Sequence, residues 1–137
     1  VSKVYLIGAL KNERIIALAN LIEARGHEVF ADWFSPGPDA DVYWQKYEVA
    51  RGRTFLQAIK GPHAKLICTY DYRWLQWCDV GVMVCPAGKS AHLELGYLRG
   101  SGKHGYILLH GEPARWDIMY GLATGIFDDF NQLLEVL

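Results

Sequence analysis

Apolar residues in this chain fall into short blocks separated by stretches whose apolar positions recur every three or four residues. Residues 4–7 form the first block, closed by Gly8. Asn12 is placed to cap a helix over residues 13–25, with Ile15, Leu18, Ala19 and Ile22 on one stripe and Gly26 as its stop. Residues 27–31 read as a second strand, and Ser35-Pro36-Gly37-Pro38 demands a loop. Asp41 can cap a helix reaching residue 60, interrupted near Gly52 and ended by Gly61-Pro62. Residues 64–70 are too short a stretch for periodicity to separate helix from strand. A short helix over 71–78 then precedes the apolar strand 80–85. A further helix ends by residues 100–102, strands follow at 106–109 and 125–127, and helices are expected over 113–122 and 129–137.

Strands alternating with helices predict an α/β fold, a mostly parallel five-stranded sheet with helices on both faces. Ligands of such sheets bind beyond the carboxyl ends of the strands, where strand order reverses. Gly8-Ala9, Asp32-Trp33 and Pro86-Ala87-Gly88 are all expected along that edge.

Residues 79–97 change the picture most. They read as strand, glycine-containing loop and helix, and the helix carries Glu94 inside an apolar stripe. With a start at Ser90 and about 100° per residue, Ser90, Ala91, Tyr97 and Leu98 share the side of Glu94, and His92, Gly96 and Arg99 face water. A carboxylate in an apolar stripe needs a partner, a ligand or an altered pKa. The helix dipole is expected to keep it charged. A charged carboxylate there suits attack on an anomeric carbon with oxocarbenium character, given a second acid nearby to protonate the leaving group. Asp71 and Asp79 are the candidates.

Composition narrows the alternatives. The 137 residues suit a single domain with a full core, and the 51% hydrophobic content argues against disorder. A net charge of −1 without a basic cluster excludes a grip on nucleic acid polymers. No apolar run reaches a membrane span and no signal-peptide pattern opens the chain. The three cysteines, Cys68, Cys78 and Cys85, lack metal-ligand spacing and fit a reducing cytoplasm. His92-Leu93-Glu94 cannot place two ligands on one helical face, so neither a metal nor another cofactor is expected. Gly88-Lys89-Ser90 lacks the earlier glycine of a P-loop, although free N–H groups at the helix start favour an anion. The aromatic-rich region 42–78 suggests a lid, a stacking pocket or a subunit interface, and Trp33 is open to the same readings, as a stacking residue or as a core or interface aromatic.

Three stretches, taken together, resemble the nucleoside 2-deoxyribosyltransferase family. Val4-Tyr5-Leu6-Ile7-Gly8-Ala9 resembles its first strand, and Tyr70-Asp71 with Asp79 eight residues later resembles its aspartate pair. Glu94-Leu95-Gly96-Tyr97, then Gly102-Lys103 and an apolar strand, resembles its nucleophile helix and the segment after that helix. The resemblance implies a flavodoxin-like, doubly wound sheet and covalent chemistry on a nucleoside, with a free base as second substrate. It implies Glu94 as nucleophile on C1′, Tyr5 as the residue holding its carboxylate in line, and Asp71 as the substrate contact that handles the proton of the departing base. Gly8, Ala9, Trp33, Asp79, Gly88 and Ser90 are the substrate-binding candidates. It also implies a homo-oligomer whose pockets are completed by a neighbouring subunit. The family carries an acid six residues before the nucleophile, and here that position is Gly88. Related hydrolases of nucleoside 5′-monophosphates instead hold phosphate with a serine and glycines in this loop. Two other readings therefore stand beside transfer: a nucleoside 5′-monophosphate N-glycosidase, and a nucleotide-binding module without turnover.

Overall fold

The structure is a computed structural model that describes all residues, 1–137. Five strands, β1 (Lys3–Ile7), β2 (Glu28–Phe30), β3 (Val80–Val84), β4 (His104–Leu108) and β5 (Gly125–Phe127), form one sheet in the order β2-β1-β3-β4-β5. Every neighbouring pair is parallel. This is the flavodoxin-like α/β arrangement, with its reversal of strand order between β1 and β3.

There are six helices: α1 (Arg14–Ala24), α2 (Ala40–Ala50), α3 (Phe55–Ala58), α4 (Pro62–Trp77), α5 (Lys89–Gly100) and α6 (Phe130–Val136), of which α1, α4, α5 and α6 supply the core residues that cover the sheet. Val4, Leu6, Val80, Val82 and Val84 point to one face and are buried by Ile15, Leu18 and Ile22 of α1 and by Leu133 and Leu134 of α6. Tyr5, Ile7, Met83 and Ile107 point to the other face, under Leu75 of α4 and Ala91, Leu95 and Leu98 of α5. The central strands are thus buried on both faces, which explains their unbroken apolar runs.

Several boundaries differ from those the sequence predicts. Residues 64–70 and 71–78 belong to the single helix α4, and Pro62 opens it instead of ending its predecessor. The missing N–H of a proline costs nothing at the first helical position. Gly52, at φ +74°, separates α2 from α3, which Thr54 and Gln57 start with a reciprocal capping box. The first helix of that pair starts at Ala40, with Asp39 rather than Asp41 at its cap position. Residues 113–122 are not a continuous helix. They form an irregular crossover with one 3₁₀ turn, Ile118–Leu122, started by the Asp117 carboxylate accepting from Met119 N at 2.9 Å. Its large apolar side chains are not buried against the sheet, for Trp116, Ile118, Met119 and Leu122 are all exposed. The crossover is pinned to α5 instead, through Arg99 Nε donating to Leu122 O at 2.8 Å and a 2.8 Å contact between His92 Nε2 and the Tyr120 hydroxyl.

One row across the sheet sets the height of α5. Phe30, Tyr5, Gly81 and Gly105 are in register on neighbouring strands. The aromatics lie under α4, and Phe30 stacks on Trp74 at 4.2 Å. The glycines lie under α5, where a Cβ on Gly81 would stand 2.2 Å from Leu98 Cδ1 and one on Gly105 2.7 Å from Leu95 Cδ1. Gly81→Ala is therefore expected to destabilise the protein by about 1–3 kcal/mol, the usual range for overpacking a core. Urea titration of the purified variant checks this, and an unchanged midpoint would show that Leu98 can move aside freely.

Candidate active site

Glu94 sits at the margin of the buried stripe of α5, not at its centre. Ala91, Leu95 and Leu98 form the sheet-facing stripe, whereas Ser90 is exposed and Tyr97 is 37% exposed. That margin faces the seam with α4, as the contact between Tyr72 of α4 and Tyr97 of α5 shows (ring centroids 5.4 Å apart). Asp71 approaches from the other side of the seam, one helical turn before buried Leu75. Tyr5, on β1, forms the floor and is only 1% exposed.

The electrostatics follow from this enclosure. Burial pushes the Glu94 carboxyl up to about 7, the Tyr5 hydroxyl opposes that shift as a hydrogen-bond partner, and the nearby Asp71 charge adds to it. Burial also raises Asp71. The Tyr5 phenol is raised well above its ordinary value, first by burial and then by Glu94, so it stays protonated and keeps an O–H to offer the carboxylate. Glu94 Oε2 and Asp71 Oδ1 are both buried without a partner in well-formed hydrogen-bond geometry. Buried polar atoms rarely lack partners. Here both stand on carboxyls whose charges interact, Asp71 acting on Glu94.

The helix dipole does not hold Glu94 fully ionised. The helix starts at Lys89 with Gly88 as its N-cap, and neither Ser90 nor any other side chain caps it. Glu94 is therefore beyond the first turn, where the dipole fades, and desolvation outweighs it.

The remaining candidates divide by their place on the sheet. Gly8 and Ala9 follow β1 at the carboxyl edge, and Pro86, Ala87 and Gly88 follow β3 there. Ala9, Lys11, Asn12, Pro86 and Ala87 line a small cleft of about 190 Å³ at the strand reversal. Trp33 is at the same edge but half-buried, with its Nε1 donating to Leu6 O at 2.7 Å, so its indole extends the β1–β2 ladder beyond the end of β2. Its ring also packs against both cores, which makes it an architectural anchor. Asp79 is a correction. It precedes β3, so the parallel sheet puts it at the amino edge, where it accepts from Lys3 N at 3.0 Å and donates its own N–H to Lys3 O at 2.8 Å. It is not brought to Glu94.

Two residues of the site region escaped the sequence reading as anything but helix starters. Asn12 is buried and its Nδ2 donates to Val84 O at 3.0 Å and Pro86 O at 3.4 Å, while Arg14 Nη1 donates to Cys85 O at 2.6 Å. The only sequence signal was an asparagine in a strand–helix loop. No group of three or more His, Cys, Asp or Glu side chains is assembled to hold a metal ion. No helix is long and apolar enough to cross a membrane.

No protein-family model matches the chain, and no curated protein does. Solved structures do. A 2-deoxyribosyltransferase from Bacillus psychrosaccharolyticus aligns with a TM-score of 0.67 at 16% identity, over 97% of this chain and 90% of that one. The CMP N-glycosidase BcmB of Clostridium botulinum aligns at 0.58 and 18%, over 98% and 96%. A conserved protein from Enterococcus faecalis V583 aligns at 0.66 and 13%, again over 98% and 96%. The chain thus shares its fold with a deoxyribosyltransferase and with an N-glycosidase, the two kinds of enzyme that its motifs resemble.

Proposed function

We propose that this protein cleaves the N-glycosidic bond of a (deoxy)nucleoside through a covalent glycosyl intermediate on Glu94 and passes the 2-deoxyribosyl group to another base. The observation that carries the reading is the pair of unpartnered buried oxygens, Glu94 Oε2 and Asp71 Oδ1, beside the Tyr5 hydroxyl. Burial raises both acids, and the Asp71 charge adds to the rise at Glu94, so the site favours keeping a proton on one of them. When the sugar docks, the ionised form of Glu94 attacks C1′, the C1′–N bond breaks, and its electron pair passes to the base. Asp71 supplies the proton that the leaving base takes up. A second base then attacks C1′, the bond to Glu94 breaks, and Asp71 recovers a proton from the incoming nitrogen. Tyr5 donates to Glu94 throughout and keeps its carboxylate aligned. Neither a metal nor an organic cofactor is required.

A second reading is supported by one feature of the loop. α5 begins without a side-chain cap, and Gly88, Lys89 and Ser90 lie at its start with both charged and hydroxyl side chains exposed. Unsatisfied N–H groups at a helix start suit a phosphate, which favours hydrolysis of a nucleoside 5′-monophosphate with water as the acceptor.

One experiment separates the readings. The purified protein is given a 2′-deoxynucleoside with a second free base, and in parallel a nucleoside 5′-monophosphate alone. Exchange of bases is the expected result. Base released only from the monophosphate would favour the hydrolase, and no product from any common base would leave only a nucleotide-binding module. We also propose that the chain works as a homo-oligomer. Tyr43, Tyr47, Phe55, Leu56 and Leu66 leave large apolar surfaces exposed on α2, α3 and α4, and a single-chain mass in sedimentation equilibrium of the same sample would remove this part.

A further inference from the structure

Where β1 ends, a side chain of the β1–α1 connection and one at the start of α1 take over its pairing with the strand that leads to the Glu94 helix. Asn12 donates to Val84 O and Pro86 O, and Arg14 donates to the carbonyl between them, Cys85 O, at 2.6 Å. Three successive carbonyls are thereby held from one side. Asn12 is itself fixed, for its Oδ1 accepts from Arg14 N at 3.1 Å and its backbone N–H donates to Ala9 O at 3.0 Å. It is 6% exposed, so its side chain has no freedom to seek other partners. The held segment runs directly into Gly88 and the first turn of α5, and α5 carries Glu94.

We propose that Asn12 and Arg14 are positioning residues for the glycosyl chemistry: they clamp the loop at residues 84–86 and so fix the axial placement of α5 over the sheet, and with it the reach of Glu94 to the sugar. The inference rests on the reading of Glu94 as nucleophile for its kinetic consequence, but not for its structural one. Neither side chain is proposed to touch substrate. Their effect passes through the loop, and it acts on alignment, not on the charge state of Glu94.

Hydrogen exchange tests the clamp without any turnover. The reporters are the amides of Cys85 and His92, bonded to Leu108 O and Gly88 O, which flank the loop. In Arg14→Ala these two are expected to exchange about tenfold faster, the scale of losing one charge-assisted hydrogen bond, while amides within β1 and β4 keep their rates. Arg14→Lys, which keeps a donor and a charge, should recover part of the protection. In the active enzyme Arg14→Ala should lower kcat by about tenfold, with KM and the pH midpoint of the rate little changed. Asn12→Ala should act in the same direction, and Asn12→Asp serves as a second probe if the alanine variant folds poorly. Unchanged exchange at Cys85 and His92 in Arg14→Ala would overturn the proposal. Equally raised exchange throughout the sheet would also overturn it, because that pattern marks a general support of the fold. Should the protein prove to have no glycosyl activity, the exchange result still decides whether the clamp exists.

Discussion

Glu94→Gln is expected to abolish turnover, lowering kcat by about 10⁴-fold or more, and at the same time to make the protein more stable in alkaline solution. Both halves come from one placement. The carboxyl lies in the seam between α4 and α5, where burial raises it from an ordinary 4.5 to about 7. Between those two pH values the folded protein holds the proton that the unfolded chain has released. The stability belonging to the protonated form is thus complete below about pH 4.5 and lost as the pH rises through 7. The difference corresponds to about 3 kcal/mol. Glutamine has a similar shape and is neutral at every pH, so the variant escapes that loss. Denaturant midpoints at about pH 5 and about pH 8.5, with initial rates on the same samples, check both parts. The variant should match the parent in the acidic sample and exceed it in the alkaline one. Parallel stability at the two pH values would show that Glu94 is not buried as a charge, and a rate within tenfold of the parent would show that it is not the nucleophile.

Such a site costs the fold stability when charged, and this is why it could be noticed in the sequence. Glu94 breaks the apolar pattern of its helix, and a buried acid is rare unless something uses it. The strands were legible for the converse reason. Val4, Leu6, Val80, Val82 and Val84 are buried on one face and Tyr5, Ile7, Met83 and Ile107 on the other. Central strands of a parallel sheet leave no polar alternation to confuse the reading.

What failed to be legible depended on distances along the sequence that the fold reorders. Asp71 and Asp79 are eight residues apart and look like a pair. But α4 runs down the sheet from the carboxyl edge to the amino edge, and Asp79 lies beyond its end. At 1.5 Å per helical residue the two are carried roughly 10 Å apart along that axis. One stays in the seam with Glu94, and the other fastens the start of β3 to Lys3. Pro62 misled for a related reason, since a proline after a glycine reads equally as the end of one helix or the first residue of the next. The clamp of Asn12 and Arg14 was hidden more deeply. Its acceptors are main-chain carbonyls some seventy residues away, and carbonyls leave no mark on a sequence.

The charge balance at Glu94 yields the other large effect. Two neighbours act on it in opposite senses: the Asp71 charge raises its pKa, and the Tyr5 hydrogen bond lowers it. Asp71→Asn should therefore move the midpoint of the rate–pH profile below about 7, because a neutral amide no longer resists ionisation of Glu94. It should also cut kcat by about 10²–10⁴-fold, the usual worth of a positioned general acid. Tyr5→Phe should move the midpoint above about 7, because the donor that favours the carboxylate is gone, and should cost less rate than Asp71→Asn, because the proton donor to the base is kept. The measurement is kcat against pH for parent and both variants. Rate losses alone would not identify the roles, since any damage to the seam could slow the reaction. Opposite displacements of the midpoint cannot arise that way. Loosening the seam would admit water and lower the Glu94 pKa in both variants. A shared downward shift would therefore mean that burial alone sets the acid's behaviour, and that neither Asp71 nor Tyr5 acts on Glu94 through its own charge or proton.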